Sequence, residues 1–128
     1  MRGIQDKQTS MWAVITIEDR IPSSHPLRGV KELADQRLVA LSRVFNRMYS
    51  PVGRPSIAPE RILKSLLLIA LYSVRSERQF CEQLGYNLLF RWFLDMEIEE
   101  ESFDATVFSK NRERLMEHEV GRLFFDAV

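Results

Sequence analysis

One cysteine, two histidines, five glycines and no net charge in 128 residues exclude several kinds of chemistry at the outset. Cys81 alone makes no internal disulfide and has no metal-ligand companion nearby, which points to a reducing, cytoplasmic setting. His25 and His118 lie far apart without a Ser or Cys partner at a recognisable spacing, so neither is read as catalytic. The few glycines form no phosphate-cradling loop. The longest apolar run, Leu66 to Tyr72, is too short to cross a bilayer, and the opening "MRGIQDKQTSMW" lacks the apolar segment of a secretory signal.

What is present is the composition of one globular domain. Hydrophobic residues make up 45% and charged residues 28%, enough to bury a core without staples. The zero balance of 18 bases against 18 acids hides a segregation. Residues 20–92 hold twelve Lys/Arg against five Asp/Glu, a local +7, whereas residues 93–104 hold six acids and no base. A local basic field steers anionic partners even where the total is zero.

The apolar spacing predicts an all-α fold, a bundle of about five to six helices preceded by a short extended arm. "MWAVITI" (11–17) is β-branched and suits one short strand or that arm, and "IPSSHP" is a turn or linker. Residues 1–29 are therefore read as arm and linker, and 30–128 as the helical domain. Leu33, Ala34, Leu38, Leu41, Val44, Phe45 and Met48 recur at three- and four-residue steps, predicting a first helix that ends near Ser50, before Pro51. Pro59 and Glu60 suit the start of a second, nearly all-apolar helix running to about Tyr72. Ser76 with Gln79 predicts a capping box for a third, closed by Gly85 at C′. Asn87 caps a fourth, Asp104 or Thr106 a fifth, and a sixth begins near His118 with Leu123, Phe124 and Phe125 expected to be left exposed.

Three places carry groups suited to nucleic acid. The second and third helices with the turn Ser73–Val74–Arg75 read either as a helix-turn-helix or as an ordinary hairpin with a solvated polar face; Arg75, Arg78, Gln79 and Gln83 would be its outward groups. The fifth helix, "TVFSKNRERL" (106–115), anchors on Val107, Phe108 and Leu115 and turns Ser109, Lys110, Arg112, Glu113 and Arg114 outward, with Asn111 beside them. It reads either as a face for phosphates and base edges or as an exposed, merely solvated helix. Arg54, in "GRP", fits either a rigid loop or a narrow minor groove. "RW" (91–92) suggests base stacking, but Phe90, Trp92 and Phe93, with Leu88, Leu89 and Leu94, are better explained as packing on the second helix. Asp95, Glu97, Glu99, Glu100, Glu101 and Asp104 read as a solvated connection, not a magnesium site, because such a site needs carboxylates converging from separate rigid elements.

"HPLRGVKEL" (25–33), "YSPVGRPSIAPERILKSLLLIALYSVRSERQFCEQLGYNLLFRWFL" (49–94) and "FSKNRERL" (108–115) together resemble the N-terminal region of DDE transposases from bacterial insertion sequences, of the group-five type and its relatives. The resemblance implies a helical region that binds double-stranded DNA at the element's terminal inverted repeats. It implies DNA contacts among Arg54, Arg61, Arg75, Arg78, Arg91, Lys110, Arg112 and Arg114. In such enzymes a ribonuclease H-like domain follows, with three acids that hold two magnesium ions. No catalytic or metal-binding residue is expected in this chain, because the first acid falls beyond it and Asp126 does not match its position. The rival expectation is a helical inhibitor that pairs with itself or with full-length transposase through Leu38, Leu41 and Phe45.

Overall fold

The computed structural model describes residues 2–8, 12–49, 56–117 and 120–127. Eight helices and no strand occur among them: α1 (Ile17–Arg20), α2 (Leu27–Ala40), α3 (Ser42–Tyr49), α4 (Pro59–Leu71), α5 (Glu77–Leu84), α6 (Leu88–Phe93), α7 (Ala105–Glu117) and α8 (Val120–Ala127). The two helices beyond the expected six have separate origins. One is α1, a single turn held by a capping box in which the Thr16 hydroxyl accepts from the Asp19 amide and the Asp19 carboxylate accepts from the Thr16 amide. The other arises because the first expected helix breaks at Leu41.

That break is local. Leu41 relaxes to φ −90°, ψ −2°, and its carbonyl accepts from both Val44 (3.0 Å) and Phe45 (3.1 Å). Leu38 and Phe45 stay on one side and are both buried. The apolar spacing is unchanged across the break, so the periodicity carries no sign of it. The same burial overturns the proposed association surface: Leu38 and Phe45 belong to the core and Leu41 packs against it.

The centre of the molecule is α4. Ile62, Leu63 and Leu68 are fully buried, each worth about 1.5–3 kcal/mol relative to exposure. Ser65, equally buried, satisfies its hydroxyl by donating to the Arg61 carbonyl at 2.6 Å. Around α4, α7 packs on α4, α5 and α8, while α6 packs on α1, α4 and α5. Phe80, Phe90 and Phe108 join α5, α6 and α7, with ring centroids 5.4 Å (Phe80–Phe90) and 6.1 Å (Phe80–Phe108) apart. The last helix is covered more than expected. Phe124 is buried and Phe125 partly so, leaving Leu123 exposed.

Helix ends follow their side chains. Pro59 opens α4. Ser76, Asn87 and Asp104 accept from the amides of Gln79 (3.1 Å), Phe90 (3.1 Å) and Thr106 (2.9 Å) respectively. Gly85 closes α5 with φ −62°, so the left-handed freedom expected there is not used. Two non-glycine residues use it instead. Ser73 has φ 51°, and the Val74 amide behind it reaches back to the Ile69 carbonyl (3.1 Å). Asp95 has φ 56°, and the Met96 amide reaches the Arg91 carbonyl (2.9 Å). Both are Schellman closures with the usual glycine missing. Ser73→Gly is expected to stabilise the fold by about 0.5 kcal/mol, relief of left-handed strain outweighing the added freedom of the unfolded chain. Asp95→Gly should destabilise it, because Asp95 also carries ion pairs. Denaturant midpoints of the two variants moving the same way would contradict this assignment.

Residues 12–16 carry no regular structure, and Trp12 and Val14 are almost wholly exposed, so this segment is arm and not strand. Beyond it Ile21 and Leu27 enter the core, and α2 begins three residues before Val30. His25 is a local brace whose Nδ1 accepts from the Leu27 amide at 3.1 Å.

Candidate nucleic-acid interface

Much of the positive charge is committed to the fold. Lys64, on α4, is 3% exposed, and Lys31, on α2, is largely covered. With Asp35 and Asp95 they close a ring: Lys31 contacts Asp35 at 2.8 Å and Asp95 at 2.9 Å, while Lys64 contacts Asp35 directly and Asp95 at 3.4 Å. Burial disfavours charge on Lys31, yet its bonds to Asp35 and Asp95 hold its pKa above the ordinary value. Burial likewise works against the Asp95 carboxylate, but Lys31 and Lys64 hold its pKa below the usual range. The left-handed turn after α6 aims Asp95 into this ring, so its strain has a structural use.

Two of the predicted DNA-contacting residues are occupied internally. The Arg61 guanidinium donates to Glu100 (2.8 and 3.4 Å) and to the Asp95 carbonyl (2.9 Å), and the bond to Glu100 lowers that carboxyl's pKa. Arg91 is 3% exposed and donates to the carbonyls of Leu84 (2.7 Å) and Glu97 (2.7 Å). It ties the end of α5 to the acidic loop. A DNA phosphate cannot reach Arg91 without unfolding that corner, so burial overturns the DNA role expected of it. Trp92 is equally covered, its indole donating to Glu18, and Arg28 lies over its ring at 5.2 Å.

The acidic segment is thus not a uniformly solvated spacer. Asp95 and Glu100 are ion-paired and Asp104 caps α7. These carboxylates serve separate partners and do not converge, so they do not fit a magnesium pair. Among the described residues no three His, Cys, Asp or Glu side chains gather to hold a metal. Cys81 is also buried, and burial, followed by the charges of Glu77 and Asp104, pushes its thiol up to about 11, leaving it unreactive near neutral pH.

Of the remaining predicted residues, Ser109 and Arg112 meet α5 where it lies against α7. Glu77, in the first turn of α5, is the organiser: its carboxylate accepts from Ser109 Oγ (2.9 Å) and from Arg112 Nε (2.6 Å). Ser109 and Arg112 are therefore positioned by α5, with Arg112 about one-third exposed. Asn111 turns back to the Val107 carbonyl (2.8 Å) and to Ser56 (3.2 Å). Arg114 is half-buried. Lys110 on α7, Arg78 on α5 and Arg75 before α5 are exposed. Arg75 and Gln79 line one shallow cleft with Gln83 and Asn87, behind the turn from α4. Arg54 lies outside the described residues.

The sequence carried no signal for Glu77, because its partners stand 32 and 35 residues away. On this face Glu77 anchors the Arg112 side chain against α5. Such an arrangement suits phosphates and base edges, and the fixed placement of Arg112 lowers the entropy given up on binding.

The family model described as "Transposase domain (DUF772)" matches residues 15–114. No curated protein and no solved structure matches the chain. Among the described residues, no helix is long and apolar enough to cross a membrane. The matched range runs from the arm before α1 into α7 and so includes every helix that builds the α5–α7 surface.

Proposed function

Because the chain belongs to the transposase domain family over residues 15–114, we propose that it binds double-stranded DNA at the terminal inverted repeats of an insertion sequence. On this reading it is the N-terminal, end-recognising part of a DDE transposase of the group-five type. α4, its turn and α5 act as a helix-turn-helix, with Arg75, Arg78 and Gln79 facing the duplex and α7 supplying Lys110 and Arg112. Strand cleavage and its magnesium ions belong to a separate ribonuclease H-like domain and not to these helices.

The observation that carries the reading is the family match. The choice of residues rests on exposure: Arg75, Arg78 and Lys110 stand outward, whereas Lys31, Arg61, Lys64 and Arg91 are taken up by the fold. Arg112 is shared with Glu77 and offers a phosphate only its remaining donors. Arg78→Ala and Lys110→Ala test it. If Arg78 reads a base, its removal costs about 1–3 kcal/mol, roughly 5- to 150-fold in affinity, and only for the repeat. If Lys110 holds a phosphate, its removal weakens repeat and scrambled duplex alike. Fluorescence anisotropy with both duplexes separates the two roles. Wild-type affinity in both variants would remove α5 and α7 from the interface.

A further inference from the structure

The α5–α7 surface leaves a second basic face unexplained. Residues 36–59 contain Arg37, Arg43, Arg47 and Arg54 and not one Asp or Glu. Within this stretch α3 turns Phe45 and Val44 toward the core and leaves Arg43, Asn46 and Arg47 exposed around one shallow recess. Arg28, Lys31, Arg61, Lys64 and Arg112 each have a carboxylate partner. Among the described residues no carboxylate pairs with Arg43 or Arg47.

Arg43 and Arg47 also stand at i and i+4, where like charges face each other across one helical turn and repel. Nothing on α3 offsets that repulsion, since the element holds no acid. An external anion would. The Cα atoms of Arg43 and Arg47 are offset by about 6 Å along the helix axis. Their long side chains can then reach neighbouring phosphates of one strand, with the Asn46 amide donating to a phosphate oxygen between them.

We propose that α3 is a second grip on duplex DNA, in which Arg43 and Arg47 hold backbone phosphates without reading sequence. This rests on the DNA-binding reading above and adds to it a surface outside the α5–α7 face. A lone surface arginine would not support such a claim. Two arginines and an amide on one exposed face, in a stretch cleared of acids, fit a polyanion and poorly fit an apolar or cationic protein partner.

The test is R43A/R47A, with R43K/R47K beside it, titrated by fluorescence anisotropy against repeat and scrambled duplexes over a salt series. Removing both phosphate grips makes the slope of log affinity against log salt shallower by about 1.8. Between about 50 and about 200 mM salt the wild type should then weaken about 12-fold more than R43A/R47A. The loss at low salt should be equal on both duplexes, and the lysine pair should restore most of the slope. The thermal unfolding midpoint should not fall and should rise slightly, because both side chains are exposed and their mutual repulsion is relieved. An R43A/R47A slope equal to wild type, with the wild type still preferring the repeat, overturns the α3 grip alone. A loss confined to the repeat also overturns it, since that is base reading. Absence of wild-type binding to either duplex overturns this proposal and the DNA-binding reading together.

Discussion

Arg91→Ala is expected to cost about 3–6 kcal/mol of folding stability, because two carbonyls each lose a hydrogen bond from a charged donor worth about 1.5–3 kcal/mol. The substitution leaves the buried Leu84 carbonyl without a donor and strips the part-buried Glu97 carbonyl of its own, both now served at 2.7 Å. It also empties the space between α5 and the loop after α6. For a chain of this length the melting midpoint should fall by roughly 10 °C or more. Arg91→Lys should recover only part of the loss, because an ammonium lacks the planar fork that serves two carbonyls at once. Circular dichroism melting of both variants checks this. An unchanged midpoint with weakened DNA binding would return Arg91 to the surface and contradict the packing described above.

Phe108→Ala is the second large effect, again about 3–5 kcal/mol. Phe108 is fully buried on α7, stacked on Phe103 at 6.0 Å and tilted against Phe80 at 6.1 Å. Truncation opens a cavity between α5 and α7, and these helices cannot close it without shifting Glu77 against Ser109 and Arg112. Stability and DNA binding should therefore fall together. Phe108→Leu, which keeps most of the volume, should cost far less and keep the Glu77 bridge. The readout is a fall in the denaturant midpoint without a change in slope. A midpoint within experimental error of wild type would show that Phe108 is not the keystone between these helices.

The two variants illustrate which parts of the molecule were legible in sequence. Local features were. Ser76, Asn87 and Asp104 cap their helices because a short polar side chain two or three residues before an amide has few alternatives. Phe108 and Leu115 are buried as their spacing on α7 requires. Features that depend on distant partners were not. Arg91 and Lys110 look alike in sequence, yet one is enclosed by carbonyls six and seven residues away and the other stands in solvent. Arg61 finds Glu100 across 39 residues, and Lys64 finds Asp35 across 29. Charge counting gave residues 20–92 a surplus of +7, but folding brings Asp95 and Glu100 back onto that segment and neutralises part of it. The field left over is concentrated on fewer residues than the count implied. The break at Leu41 escaped for a different reason, since it alters hydrogen bonding without altering the apolar period.

Glu77 shows how a fold converts a weak sequence feature into a positioned one. A glutamate in the first turn of a short helix is ordinary as a helix-dipole partner. Here it also fixes Arg112 and Ser109 on the neighbouring helix, which makes the α5–α7 surface one unit.

The central claim is that this helical unit recognises the ends of its own element. Anisotropy of the wild-type chain on a duplex bearing the terminal repeat, against a scrambled duplex across a salt series, tests it most directly. The account predicts tighter binding to the repeat, with both affinities falling steeply as salt rises. Equal affinity for the two duplexes, or none for either, would contradict end recognition.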